Sequence, residues 1–116
     1  MPPRITFEPG DLEPRDLVPL NAAAAILRDH PRIRRLAVEG HRNATEPARV
    51  SRARAARVEQ LMVDEGVDPD RLCLVDEADR KSVADPSTPE GRAHNRRVTF
   101  TILEDGDPCD DPGLVR

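Results

Sequence analysis

Residues 96–103 carry the cleanest alternation in the chain, with Val98, Phe100 and Ile102 on one side and Arg97, Thr99 and Thr101 on the other. A period of two over that length describes a strand with one face on a core, so the chain has to build a sheet and cover one side of it. The cover is written upstream. Leu17, Leu20, Ala24 and Leu27 recur at helical spacing and predict a helix capped by Asp16 and running to about Asp29. Pro19 then falls in the first turn, where the N–H it removes has no intrahelical partner. A second helix is predicted over 45–65, with Val50, Val58, Leu61 and Met62 on its apolar side and Arg54 among them, and Gly66 as its stop. Short strands are predicted at 5–8, at 33–39 and at 72–75; in the middle one Leu36 and Val38 face one way and Arg35, Ala37 and Glu39 the other. Residues 76–93 read as a long polar loop with room for a helical turn after Ser87 or Thr88.

The order β-α-β-α-β-β predicts an α+β fold: a two-layer sandwich in which one mixed four-stranded sheet carries its helices on one face. Right-handed crossovers let the first three strands run parallel, and the last, with no long helix before it, pairs antiparallel. One domain is assigned to residues 4–103. Glu104, Asp105, Asp107, Asp110 and Asp111 among two prolines predict a disordered acidic tail over 104–116.

Composition narrows the function. With two Phe and no Trp or Tyr there is no aromatic platform on which sugars or bases could stack. A net charge of -4 argues against a nucleic-acid binder. No stretch approaches the ~20 apolar residues of a membrane span, and the N-terminus opens onto a strand rather than a secretory signal. The chain therefore reads as soluble, either part of a longer exported protein or a short protein without an export signal of its own, and a cytoplasmic site stays open. Cys73 lies in an apolar run and Cys109 in the acidic tail, which reads as a core thiol and an exposed one rather than a disulfide. His30, His41 and His94 lack metal-ligand spacing, and Ser51, Ser82 and Ser87 lack a nucleophile's partners. No metal, no cofactor and no catalytic residue is expected, so the chain is read as a binding module rather than an enzyme. Five arginines from Arg42 to Arg57 stand against Glu46, either as a patch for an anionic polymer or acidic partner, or as a solvated helix face.

Three segments carry a more specific signal: ILRDHPRIRRLAVEGHRN at 26–43, SRARAARV at 51–58, and 66–98 with GVDPDRL and TPEGRAHNRRV. In this order they resemble the OmpA-like C-terminal, peptidoglycan-binding domain shared by OmpA, peptidoglycan-associated lipoprotein and MotB, and the chain is identified as a divergent member over about residues 5–103. The resemblance implies a periplasmic or cell-envelope domain that holds the diaminopimelate residue of the peptidoglycan stem peptide. That residue presents a carboxylate and an ammonium on one carbon, which asks for a guanidinium and backbone N–H groups on one side and an acid on the other. By the resemblance Arg54 takes the carboxylate, helped by the backbone at His41, Arg42 and Asn43 and by the start of the second helix. Arg97 belongs to the closing motif, and Asn43 stands where the family has its pocket aspartate. Asn43 can still accept from an ammonium, but without charge assistance the bond loses about 1 kcal/mol or more. Other departures are a shortened connection from Asn43 to Ser51, Pro9 and Gly10 in place of an aromatic and an acid, Asp76 and Ala78 in place of glycines, and Ser82 in place of a proline. Glu39 or Glu46 could supply the lost acid, or could pair with Arg54 in a structural role. Two functions follow: anchoring to the cell wall through peptidoglycan, or a degenerate OmpA-like fold that serves as a protein interaction or structural module.

Overall fold

A computed structural model of the chain describes residues 4–79, 87–104 and 107. Its elements in chain order are β1 (Ile5–Thr6), α1 (Val18–Asp29), β2 (Arg35–His41), α2 (Arg49–Asp64), β3 (Leu72–Ala78), α3 (Pro89–Asn95) and β4 (Arg97–Leu103), with a 3-10 turn at Pro69–Arg71 before β3. The sheet order is β1-β4-β2-β3, with β2 and β3 parallel and β4 antiparallel to both β1 and β2. The first three strands thus share one direction and the last is inserted between the first two. This is the mixed α+β sheet expected from the element order.

Helix α1 begins at Val18, later than the Asp16 cap implied. The Asp16 carboxylate accepts the Val18 N–H at 2.9 Å and holds the chain ahead of the helix. Leu17 therefore sits outside the helical period and is 49% exposed, and the buried face is Leu20, Ala23, Ala24 and Leu27. The two long helices end on arginine caps. Arg71 donates to the carbonyls of Leu27 (2.7 Å), His30 (3.0 Å) and Ile33 (2.6 Å), and Arg28 donates to Glu65 (2.7 Å). Cations there satisfy orphan carbonyls and complement the negative end of each helix.

The core forms where α1 and α2 cover the row Leu36, Val38, Leu72, Leu74, Val98 and Phe100 with Leu20, Leu27, Val58 and Met62. Ile102 continues the alternation but is 54% exposed, because β4 extends past the helical cover. At the other end of β2 the helix comes in very close. A Cβ placed on Gly40 would lie 1.8 Å from the carbonyl oxygen of Ser51 and 3.1 Å from Cβ of Ala55. Only glycine allows α2 to lie this near β2, and that approach is what delivers Arg54 to the end of the strand.

Just beyond Gly40 the β2–β3 register shifts, so that His41 pairs with Ala78. Ala78 has φ +53, the left-handed region in which a Cβ costs about 1–2 kcal/mol. Its N–H bonds the Asp76 carboxylate at 3.0 Å, and the same oxygen accepts from Ser51 Oγ at 2.6 Å. Asp76 thus stabilises a bulge that a glycine would adopt unaided. Ala78→Gly is expected to raise stability by about 0.5 kcal/mol, after allowance for glycine's greater freedom when unfolded, as measured by urea denaturation.

The sheet face away from the helices corrects one expectation. Leu72 and Leu74 face the helices, so Cys73 faces the other way, beside Ala37 in register, and both are buried. Cys73 is disulfide-bonded rather than a core thiol. The chain's one other cysteine, Cys109, lies outside the described residues, as do Ser82 and all of the 104–116 tail except Glu104 and Asp107. The Asp107 carbonyl accepts from Arg35 Nη2 at 2.9 Å, and its carboxylate accepts the Glu104 N–H at 2.6 Å.

Candidate carboxylate site

Arg54 is the largest fully buried side chain among the described residues. It projects from the first half of α2 toward the end of β2 and the loop after β1, with its guanidinium carbon 5.1 Å from the centroid of the Phe7 ring. A cation in such a place has to find every hydrogen bond within the protein. Arg54 does so. Nε donates to the Asp11 carbonyl at 3.0 Å; Nη1 donates to the His41 carbonyl at 3.2 Å and to Glu46 Oε1 at 2.9 Å; Nη2 donates to the Glu8 carbonyl at 3.2 Å and to Glu46 Oε2 at 2.6 Å. A guanidinium has five N–H groups, and all five are engaged.

The contact with Glu46 is the bidentate fork in which guanidinium and carboxylate match best. Two backbone donors complete the seat around that carboxylate: Gly10 N–H to Oε2 at 2.8 Å and Asn43 N–H to Oε1 at 3.0 Å. Gly10 presents its N–H from a tight reversal at φ +67, in which Asp11 N–H bonds the Glu8 carbonyl at 3.0 Å. Glu46 itself is carried on a turn closed by its N–H on the Asn43 carbonyl at 3.1 Å. That turn takes up residues the sequence pattern had assigned to the second helix, so α2 starts only at Arg49.

Burial pushes the Glu46 carboxyl up, but the Arg54 hydrogen bond, the Gly10 and Asn43 N–H groups and the Arg54 charge outweigh it, leaving its pKa below the ordinary 4.5. A depressed carboxyl stabilises the fold fully above its unfolded value and loses that contribution as pH falls through the folded one. Stability is therefore expected to drop as pH is lowered below about 4.5, and Glu46→Gln to flatten this part of the acid limb in urea melts taken at successive pH values.

Of the residues singled out from sequence, Arg54 sits at the centre, and Asn43 and His41 join it through their backbones. The His41 ring lies on the outer sheet face, with Nε2 2.8 Å from Thr99 Oγ1. The Asn43 side chain turns toward α3 and donates to the Arg92 carbonyl at 3.0 Å, while its buried Oδ1 has no partner among the described residues. Arg42 braces the turn, its Nη1 reaching the carbonyls of Asn43 (3.3 Å) and Glu46 (3.4 Å). Arg97 is not brought to this cluster. It lies on the outer face, where burial and Arg4 lower its pKa against the pull of Glu39 and Glu77. Glu39 is on that face as well and accepts from Thr99 (2.9 Å) and Thr101 (3.0 Å), so Glu46 is the acid paired with Arg54. Glu8, Gly10 and Asp11 serve the site only through backbone atoms.

The OmpA family profile matches residues 6–96. A probable lipoprotein, YiaD, of Escherichia coli is 31% identical over 108 residues, which is 88% of this chain and 49% of that protein. Solved structures share the fold, and two of them illustrate it. The peptidoglycan-associated lipoprotein from Burkholderia pseudomallei superposes with TM-score 0.75 at 21% identity, covering 84% of this chain and 86% of that one. The cell wall anchor of the T6SS from Pseudomonas aeruginosa does so with TM-score 0.70 at 29% identity, covering 86% and 76%. The chain spans half or less of the length of the curated relatives it matches. With the profile covering most of the chain and the sheet and helices laid out as in those structures, the chain belongs to the OmpA family.

Proposed function

We propose that this domain is a non-catalytic cell-wall module of the bacterial envelope, whose Arg54 seat receives a carboxylate of the peptidoglycan stem peptide, with diaminopimelate as the residue recognised. The observation that carries this reading is the seat: a buried guanidinium fork and two converging backbone N–H groups, a donor set made for one carboxylate. Asn43, whose N–H joins the seat, carries on its side chain a buried Oδ1 without a partner among the described residues, and that oxygen is the acceptor assigned to the ammonium. Relatives described as a peptidoglycan-associated lipoprotein and a cell wall anchor favour the same role. The disulfide at Cys73 fits an oxidising compartment such as the periplasm.

A second reading is favoured by Glu46 filling the seat. In it the Arg54–Glu46 pair is permanent, wall binding has been lost, and the fold serves as a structural or protein interaction module. Co-sedimentation with purified peptidoglycan separates the two. Wall binding predicts saturable pelleting that a diaminopimelate-containing stem peptide competes away. Absence of saturable pelleting in both the wild type and Glu46→Ala would reject it in favour of the second reading.

A further inference from the structure

We propose that Glu46 is an intramolecular plug: its carboxylate occupies the seat of the incoming ligand, so the resting domain is closed and opens only by exchange of one carboxylate for another. This inference rests on the reading of the Arg54 seat as the ligand site. The donor count makes addition impossible. No N–H of Arg54 is left over, and Gly10 and Asn43 both point their N–H groups at Glu46. A second carboxylate finds no free donor on Arg54 or on the Gly10 and Asn43 main chain and would bring like charge against Glu46, so it can take the seat only as Glu46 leaves.

The two halves of the pair differ in how firmly they are held. Arg54 is fastened to three carbonyls from two separate segments, under Phe7. Glu46 rides on a surface turn whose neighbours Ala44, Thr45, Pro47 and Ala48 are all exposed, and the Arg42 bonds that brace it are long, at 3.3 and 3.4 Å. Swinging the turn outward breaks few packing contacts, whereas withdrawing Arg54 unmakes the helix–strand junction. Glu46 is thus the member that moves. Tethered next to its seat, it competes at an effective concentration set by the short connection, and it lowers the apparent affinity for any outside carboxylate accordingly.

The test uses Glu46→Ala, with acetate as the probe of the seat and a diaminopimelate-containing stem peptide as the probe of function. Acetate is expected to raise the melting temperature of Glu46→Ala saturably against a chloride control of equal ionic strength, and to leave the wild type and the Arg54→Lys/Glu46→Ala double variant unchanged. The stem peptide is expected to bind Glu46→Ala about tenfold or more tighter than the wild type. A folded Glu46→Ala that shows no saturable acetate response overturns the plug, and so does equal peptide affinity in the two proteins. If acetate responds but the peptide binds neither protein, the plug stands and the peptidoglycan reading falls. If Glu46→Ala folds only in acetate, that dependence is itself the expected response; failure to fold at any acetate concentration makes Glu46 a structural member and overturns the proposal.

Discussion

Gly40→Ala is expected to lower stability by about 3 kcal/mol or more, with a fall in melting temperature of roughly 10 °C or beyond for a domain of this size. The added methyl would stand 1.8 Å from the Ser51 carbonyl oxygen, a backbone atom in the first turn of α2, and no rotamer change can clear it. Helix and strand have to separate. Separation thins the core where Ala55 and Val58 meet Val38 and Val98, and it draws Arg54 away from the His41 carbonyl. Against a total stability of ~5–15 kcal/mol, such a loss removes a large share of the folding free energy. Thermal melting followed by circular dichroism reads it directly, and a change of only a few degrees would show that α2 does not lie on β2 as described.

The second large effect is at Arg54. Arg54→Ala leaves the Glu46 carboxylate with two backbone donors and no countercharge, removes the guanidinium donor from the carbonyls of Asp11 and His41, and leaves the Glu8 carbonyl with the Asp11 N–H. Breaking a buried ion pair by removing one partner costs about 3–5 kcal/mol, most of it the penalty of the group left behind. Glu46→Gln is expected to cost less, because the amide oxygen still accepts from the fork while the three carbonyl bonds persist. Urea denaturation of the two variants tests this ordering. Equal losses would mean that the ion pair, rather than the carbonyl network, carries the whole contribution of Arg54.

How far the fold was legible follows from where the periodicity was clean. Val98 and Phe100 alternate over a long enough run to define β4, and Leu20, Ala24 and Leu27 recur at helical spacing, so both elements and their buried faces could be read directly. Boundaries failed where backbone geometry, invisible to periodicity, took over: Leu17 falls outside α1, and Asn43 to Glu46 form a turn instead of entering α2. The apolar run around Cys73 suggested a core thiol. In a strand whose Leu72 and Leu74 face the helices, Cys73 has to face the opposite side, and there it is disulfide-bonded.

The site was legible in part. Arg54 stood out as an arginine on an apolar helix face, and Glu46 was one of two acids that could answer it. Choosing between Glu46 and Glu39 required the strand register, which sends Glu39 to the outer face with Thr99 and Thr101. The donors at Gly10 and Asn43 and the acceptors at Glu8 and Asp11 belong to the main chain, which every residue carries alike. No side-chain pattern announces them.

In the proposed wall-binding reading, the Arg54 fork and the Gly10 and Asn43 N–H groups together form the carboxylate seat of this domain. Amide nuclear magnetic resonance during titration with a diaminopimelate-containing stem peptide tests it most directly. The amides of Gly10 and Asn43 and the Nε–H of Arg54 are expected to shift together and saturate with the peptide. Saturable peptide binding that leaves those three signals in place, and moves others on the outer sheet face, would contradict it.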